Sequence, residues 1–352
     1  MIQGHTLDVL LAPELRHGFV FEKWLLFRGL TAPTFFMLSG MSFFLATSRK
    51  WESYASPSLA FYRRLRKFGF FILLGYLMHF PARSFQDLRW LDANGWESGF
   101  QVDVLQCIGL TLAALQILAL LAKTPERFAR IAVVLGGLVV LLTPLLWQTS
   151  LGFVPHPILA YLNGLNGSLF PLFPWSAYVL FGVGVGYFCK TWETRRGAFP
   201  FAQLGAGGLL LALAATAWQH LPLAIYGNAD YWHTSPNLVL ARIGSVCFLL
   251  AGFAFVAKRV SLPEAAIRSL AQESLVIYFI HVAVLYGSLW NTGLKQIIGP
   301  TLTLLPTLGW ISILLISMTT LGWSWNWAKR NASGRTRLVR VAVALAAAYS
   351  LM

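Results

Sequence analysis

The feature that most constrains this chain is a series of apolar segments about as long as a lipid bilayer is thick. A bilayer core about 30 Å thick takes roughly 20 residues of α-helix to cross. Long segments of this kind occupy residues 29–48, 64–82, 102–122, 129–148, 169–189, 201–219, 237–257, 270–290 and 303–325, and shorter ones occupy 1–12 and 338–352. The sequence therefore predicts an all-α polytopic transmembrane bundle of about ten or eleven hydrophobic helices.

Composition excludes a soluble globular protein. Hydrophobic residues make up 57% of the 352 residues and charged residues only 11%, whereas a soluble domain carries roughly 25% charged residues. The net charge of +14 is typical of nucleic-acid binders. The basic residues fall in short clusters between apolar segments, however, as orientation signals do, so we expect the lipid bilayer and not nucleic acid as a partner.

The distribution of Lys and Arg predicts the orientation of the chain. Twenty of the 27 basic residues lie in one set of alternate loops and six in the other, while Arg242 lies inside an apolar segment. Positively charged loops face the cytoplasm. We therefore expect loops 13–28, 83–101, 149–168, 220–236 and 291–302 to be extracytoplasmic.

The ends and interior of the chain give two further expectations. Residues 1–12 resemble the far end of a helix, so we expect the first helix to be truncated or the native chain to begin upstream of Met1. No basic region precedes the segment, unlike in a signal peptide. No linker or internal repeat is visible, and we expect residues 1–352 to form a single transmembrane domain.

Polar side chains inside apolar segments are the candidates for chemistry, because they are costly in hydrocarbon unless they face a partner or a wet cavity. His5 and Asp8 are three residues apart and share a face if they are helical. A carboxylate beside an imidazole fixes its tautomer and favours general-base catalysis. His281 lies in an apolar stretch, so we expect its partner to come from another helix.

Other positions allow both a functional and a structural interpretation. The guanidinium of Arg242 can hold a phosphate or carboxylate, or extend towards the membrane surface. Ser39 and the neighbouring Gly40 suit close helix packing. The three cysteines show no metal-site spacing and are best interpreted as small buried apolar residues. We expect no bound metal, and no nucleophile elbow, phosphate-binding loop or dinucleotide fingerprint is present.

Several stretches resemble the bacterial relatives of the heparan-alpha-glucosaminide N-acetyltransferase catalytic domain family, within a wider clan of membrane acyltransferases. Residues 28–40 are similar to the family's Gly-Leu-Thr helix, and residues 104–111 to its Val-Leu-Gln-Arg-Ile-Gly segment. Residues 274–281 are similar to its late helix ending in His, and Pro174-Trp175 to its Pro-Trp helix. The resemblance extends over most of the chain.

The resemblance implies acyl transfer in a bacterial inner membrane. A cytoplasmic acyl-CoA, often acetyl-CoA, would be the co-substrate, and the acceptor would be a sugar or glycan hydroxyl or amine on the outer side. His5 occupies the place of the family's catalytic histidine, with Asp8 and His281 as further catalytic candidates. The residues that would bind substrate are Arg242, Gln106, Ser39 and Arg28.

One departure and one cluster bear on donor binding. Cys107 replaces the family's usual Arg after Gln106, so an anion contact there is lost or supplied by Arg242. The predicted cytoplasmic cluster Arg63, Arg64, Arg66 and Lys67 offers charges for the donor's phosphates, although it also serves as a topology signal.

Two other functions remain open at this point. Ten or so helices with a few polar groups also suit a transporter or flippase for a small amphiphile, although such proteins often show internal repeats. A non-catalytic membrane subunit is the third possibility. The acceptor, the acyl group and the oligomeric state do not follow from the sequence.

Overall fold

The computed structural model describes residues 1–82, 84, 86–149, 152–227, 230–261, 263–288, 290–331, 334 and 339. The chain is 78% helical, and no β-strand occurs in these residues, which confirms the predicted all-α class. The helices are α1 (Ile2–Leu10), α2 (Phe19–Arg28), α3 (Thr31–Arg49), α4 (Trp51–Tyr54), α5 (Leu59–Met78), α6 (Ala93–Gly99), α7 (Val104–Ala122), α8 (Pro125–Gln148), α9 (His156–Leu162), α10 (Leu172–Arg196), α11 (Phe201–Ala217), α12 (Leu221–Tyr226), α13 (Pro236–Arg259), α14 (Glu264–Gln272), α15 (Ser274–Tyr286), α16 (Leu294–Ile297) and α17 (Leu304–Asn331).

Within the described ranges, six helical segments are long and apolar enough to cross a membrane, or seven if the bent pair α14 and α15 forms one span. The six are Phe19–Arg49, Val104–Ala122, Pro125–Gln148, Leu172–Arg196, Pro236–Arg259 and Leu304–Asn331. Eight of the nine long predicted segments each overlap one observed helix, and the ninth, 270–290, overlaps two. The chain is thus a multi-pass membrane protein.

Three predicted segments differ in detail from the observed helices. Segment 270–290 is two helices that meet at 62°, because α14 ends at Gln272 and α15 begins at Ser274. Segment 64–82 corresponds to α5, which starts earlier and includes the basic residues. Segment 201–219 corresponds to the 17-residue α11. Segment 338–352 lies outside the described residues except for Val339.

The chain divides into two compact units. The first contains residues 1–28, 77–96 and 261–352, and the second contains residues 29–76 and 97–260. Helices α1, α2 and α14 to α17 belong to the first unit, and α3, α4 and α7 to α13 lie wholly in the second. That the whole chain forms one domain stays a prediction.

The first unit is built around α1, which packs against α15, α16 and α17. Val9 and Leu10 form a buried cluster with Leu285 of α15 and Leu314 of α17. Main-chain hydrogen bonds add to this packing, because the Leu302 amide donates to the Leu10 carbonyl at 2.8 Å and the Ala12 amide donates to the Leu302 carbonyl at 2.9 Å. These contacts fix α1 beside α15.

The second unit relies on glycines where helices approach closely. Gly40 of α3 lies against the Val179 carbonyl of α10, and Gly182 of α10 lies against the Met37 carbonyl of α3. Gly208 of α11 makes the same kind of contact with α13. The interpretation of Gly40 as a packing residue is therefore confirmed, and Gly182 has the same role.

Gly40→Ala is expected to lower the stability of the protein by about 1–3 kcal/mol, because the new methyl group would overlap the Val179 carbonyl and push two helices apart. The measurement is the thermal unfolding midpoint of the purified protein in detergent. Gly137→Ala in α8 is the matched control, since open space surrounds that position, and it is expected to leave the midpoint unchanged or raise it slightly. Equal midpoints for the two variants would contradict the close contact.

Candidate active site

Two histidines and a tyrosine meet where α1 packs on α15. The ring centroids of His5 and His281 are 5.5 Å apart, and those of His5 and Tyr286 are 5.7 Å apart. The Nδ1 atom of His5 lies 3.2 Å from the Tyr286 hydroxyl. Both histidines were predicted separately as catalytic candidates, and the structure brings them together. Tyr286 was missed, because an aromatic residue at the end of an apolar helix carries no signal in the sequence.

The hydrogen bond of His281 fixes its tautomer. Its Nδ1 lies 2.8 Å from the Ile277 carbonyl one turn earlier in α15, and a carbonyl only accepts, so Nδ1 carries the proton. In the neutral ring Nε2 then keeps its lone pair. His281 was predicted to find its partner on another helix, and the ring of His5 on α1 makes that contact. The hydrogen-bond acceptor, however, comes from the helix that carries His281.

The Nε2 atom of His281 is buried and has no hydrogen-bond partner in the described part of the chain. The side chain is 1% exposed. Buried polar atoms are nearly always paired, so an orphaned one needs an explanation such as a catalytic role. Here the orphaned atom is a basic nitrogen beside a second imidazole.

Asp8 pairs with Arg28, and the Tyr286 hydroxyl lies at Nδ1 of His5. That Asp8 also orients His5 stays a prediction. The two guanidinium nitrogens of Arg28 donate to the two carboxylate oxygens of Asp8, with Nη1 to Oδ1 at 2.7 Å. Two-point pairing of this kind is among the strong charge-assisted hydrogen bonds of proteins. Gly4 allows it, since a Cβ there would lie 2.9 Å from Nε of Arg28. Arg28 therefore anchors α2 to the helix that carries His5.

The other three predicted substrate-binding residues belong to the second unit, and two of them have local hydrogen-bond partners. Gln106 is buried and caps α7, because its Oε1 accepts from the Asp103 amide at 3.2 Å. The Ser39 hydroxyl donates to the Phe35 carbonyl at 2.8 Å. Arg242 lies beside the buried Tyr178 hydroxyl, outside hydrogen-bond geometry. Their roles in substrate binding stay predictions.

A carboxylate–imidazole pair of the kind expected at positions 5 and 8 occurs at positions 230 and 233. Asp230 Oδ2 lies 2.6 Å from Nδ1 of His233, and the imidazole stacks on Trp147. Partial burial alone would raise the pKa of Asp230, but hydrogen bonds from His233 and from the Trp232 amide outweigh it and lower that pKa. Both side chains are exposed, and the pair orders the turn before α13.

Among the described residues, neither the cysteines nor groups of potential metal ligands form a second candidate site. Cys107, Cys189 and Cys247 are buried free thiols. Across the described residues, no group of three or more His, Cys, Asp or Glu side chains is placed to hold a metal ion.

The helices define a multi-pass membrane protein, and the buried imidazoles are groups suited to proton transfer or nucleophilic attack within it. Residues 1–226 match the family model described as heparan-alpha-glucosaminide N-acetyltransferase, catalytic, and the chain belongs to that family. The predicted resemblance is confirmed, and the family makes the chain a membrane acyltransferase by class. No curated protein and no solved structure matches the chain.

Some of the candidate site residues lie inside the region that matches the family model, and others lie beyond it. It includes His5, Asp8 and Arg28 and ends before Arg242 and His281. The ring contact between His5 and His281 therefore joins a residue inside the matched region to one beyond it.

Proposed function

We propose that this protein transfers an acyl group, in the simplest case acetyl, from cytoplasmic acyl-CoA to a sugar or glycan hydroxyl or amine on the outer side of a bacterial inner membrane. The observation that supports this most is the buried Nε2 lone pair of His281 beside the ring of His5. A histidine nitrogen of this kind is the most common general base for removing the proton of such an acceptor.

In the proposed reaction Nε2 of His281 removes a proton from the acceptor. The acceptor oxygen or nitrogen then forms a bond to the carbonyl carbon of the thioester, and the carbon–sulfur bond breaks. The thiolate recovers the proton from the imidazolium and leaves as free CoA. The same nitrogen also suits a two-step route, in which it takes the acyl group as an acyl-imidazole before the acceptor attacks.

His5 and Tyr286 would orient the reacting groups. The Tyr286 hydroxyl at Nδ1 of His5 restricts rotation of that ring and sets which of its nitrogens faces the acceptor. The ion pair of Asp8 with Arg28 keeps the helix that carries His5 in place. Positioning of this kind contributes to catalysis without itself touching the proton in transfer.

The basic cluster on α5 is proposed to attract the phosphates of the donor. Arg63, Arg66 and Lys67 are exposed. Arg64 differs, because its guanidinium lies 4.3 Å from the ring centroids of both Phe43 and Tyr54 and donates to the Thr47 hydroxyl at 2.8 Å. Lys67 also lies near an aromatic ring, with its Nζ 5.7 Å from the ring centroid of Phe71. Among the described residues, Arg63 and Arg66 thus show no such packing, and Arg64 joins α5 to α3.

The proposal is tested by supplying acetyl-CoA, labelled in the acetyl group, to the inner face of membranes that contain the protein. We expect label to appear on extracytoplasmic glycans, or on a histidine of the protein, together with release of free CoA. Membranes from cells that lack the protein are the control. Absence of transfer across a panel of sugar and amine acceptors would contradict the proposal.

A second candidate rests on the break between α14 and α15. Transporters often build their substrate sites from discontinuous helices, and these two helices are bent by 62°. Movement of a small amphiphile across the membrane without consumption of acyl-CoA would favour a transporter or flippase. Stoichiometric co-purification with a partner and no turnover would instead favour a non-catalytic subunit.

A further inference from the structure

We propose that the second unit holds one phospholipid at the predicted cytoplasmic ends of α3 and α10, with its phosphate on Lys190 and Arg49. A cavity of about 360 Å³ opens there and is lined by Leu45, Arg49, Lys190, Glu193, Thr194 and Phe199, among others. A second cavity of about 510 Å³ shares Phe199 with the first and adds Trp192 and Arg196. Both volumes fall in the range of about 300–1,000 Å³ typical of small-molecule sites.

The first cavity changes from apolar to charged along its depth. Arg49 is the last residue of α3, and Leu45 and Met41 lie one and two turns earlier on the same helix. Two turns of α-helix span about 11 Å. The buried thiol of Cys189 adds to the apolar part. We call the charged opening of the cavity, at Arg49 and Lys190, the rim, and its apolar interior, at Leu45 and Met41, the shaft. This arrangement suits an amphiphile whose head group lies at the rim and whose acyl chain lies along the shaft.

The cations at the rim have no acidic partner among the residues that the structure describes. Lys190 is half-buried, and its Nζ donates to the neutral hydroxyl of Ser48 at 2.9 Å. An ammonium group carries three donors, so the bond to Ser48 leaves capacity for an anion. Arg49 is exposed at the same rim, and none of the ion pairs formed by described residues involves either cation. Basic pockets on the cytoplasmic side of membrane helices bind lipid head groups in this way.

The remaining charge at the rim selects among head groups. Glu193 lies one turn after Lys190 on α10 and is exposed. Its carboxylate repels a second negative charge and attracts an ammonium group. We therefore expect a zwitterionic phosphoethanolamine head group to bind better than a phosphomonoester head group.

The apolar shaft is the reason for choosing a lipid over a soluble phosphate compound. A nucleotide such as CoA shares the phosphate chemistry of the rim, but its polar base and ribose gain nothing from Met41 or Leu45. An acyl chain gains roughly 0.8 kcal/mol for each buried CH₂ group. The inference does not depend on acyl transfer, because it uses residues outside the histidine site.

The test uses the full chain purified in detergent. Phosphatidylethanolamine, phosphatidic acid or CoA is added, and native mass spectrometry measures what remains bound after washing. We expect one retained phosphatidylethanolamine, about tenfold lower retention for Lys190→Gln or Arg49→Gln, and wild-type retention for Arg195→Gln. Arg195 is the matched control, because it is exposed on α10 and lines neither cavity. Glu193→Gln should raise the retention of phosphatidic acid.

Two outcomes would overturn the proposal. Equal retention by Lys190→Gln and Arg195→Gln would remove the cavity as the binding site. Displacement of the lipid by CoA in the wild type but not in Lys190→Gln would assign the cavity to a soluble phosphate ligand. Arg49→Gln decides the matter if Lys190→Gln does not elute as a folded protein, since the Arg49 side chain is exposed and makes no described hydrogen bond.

Discussion

His281→Asn is expected to lower the rate of acyl transfer by about 10²–10⁴-fold, the usual contribution of a general base. The Asn amide can still donate to the Ile277 carbonyl in place of Nδ1, so the helix keeps its hydrogen bond. What the variant lacks is the basic nitrogen, which is buried and has no hydrogen-bond partner among the described residues. The measurement is the rate of acetyl transfer from labelled acetyl-CoA in membranes that contain equal amounts of each protein.

Companion variants separate the roles at this site. His5→Ala is expected to lose a comparable factor, because His5 is the imidazole in contact with His281. Tyr286→Phe keeps the ring and removes only the hydroxyl at Nδ1 of His5, so we expect a smaller loss of about tenfold, in line with one hydrogen bond. His220→Ala, on an exposed histidine outside the site, is the control and should be fully active. Full activity of His281→Asn would exclude this residue as the base.

Lys329→Met is expected to destabilise the protein by about 3–5 kcal/mol, because it leaves a buried carboxylate without its cation. Glu273 is only 2% exposed and lies between α14 and α15. Its side chain pairs with Lys329 of α17 and accepts from Asn326 Nδ2 at 2.9 Å. The measurement is the thermal unfolding midpoint in detergent.

The neighbouring basic residue gives the control for this ion pair. Arg330→Met removes an exposed charge at the same helix end and should change stability by no more than about 0.5 kcal/mol. Glu273→Gln together with Lys329→Met should recover most of the loss, because the amide stays hydrogen-bonded to Asn326 and no charge is left unpaired. Identical midpoints for Lys329→Met and Arg330→Met would show that the buried pair contributes nothing to stability.

The spanning helices were predictable because a bilayer demands long apolar segments and sorts basic residues to one side. The break between helices α14 and α15 at Glu273 was not predictable from the sequence. The sequence shows only a polar pair, Gln272 and Glu273, near the start of an apolar stretch, and such a pair also suits the ordinary end of a helix. The buried position of Glu273 depends on its contacts with Asn326 and Lys329, which lie more than 50 residues later in the chain.

The candidate site was predictable only in part, for the same reason. His5 and His281 stand out because imidazoles are rare in apolar segments. Their contact depends on the packing of α1 against α15, which no local pattern reveals. Spacing suggests that Asp8 belongs with His5, and α2 returns to place Arg28 on the Asp8 carboxylate. No local pattern in the sequence reveals this second contact.

The bond from Nδ1 of His281 to the Ile277 carbonyl limits how this ring can handle a proton. A histidine that relays protons receives one at the first nitrogen and releases one from the second. Here the first nitrogen is bound to the helix backbone, so in the proposed reaction the proton both arrives at and leaves from Nε2. The acceptor that gives up the proton and the thiol that recovers it would then approach the same edge of one ring, and the proposed direct transfer requires donor and acceptor to be bound at the same time.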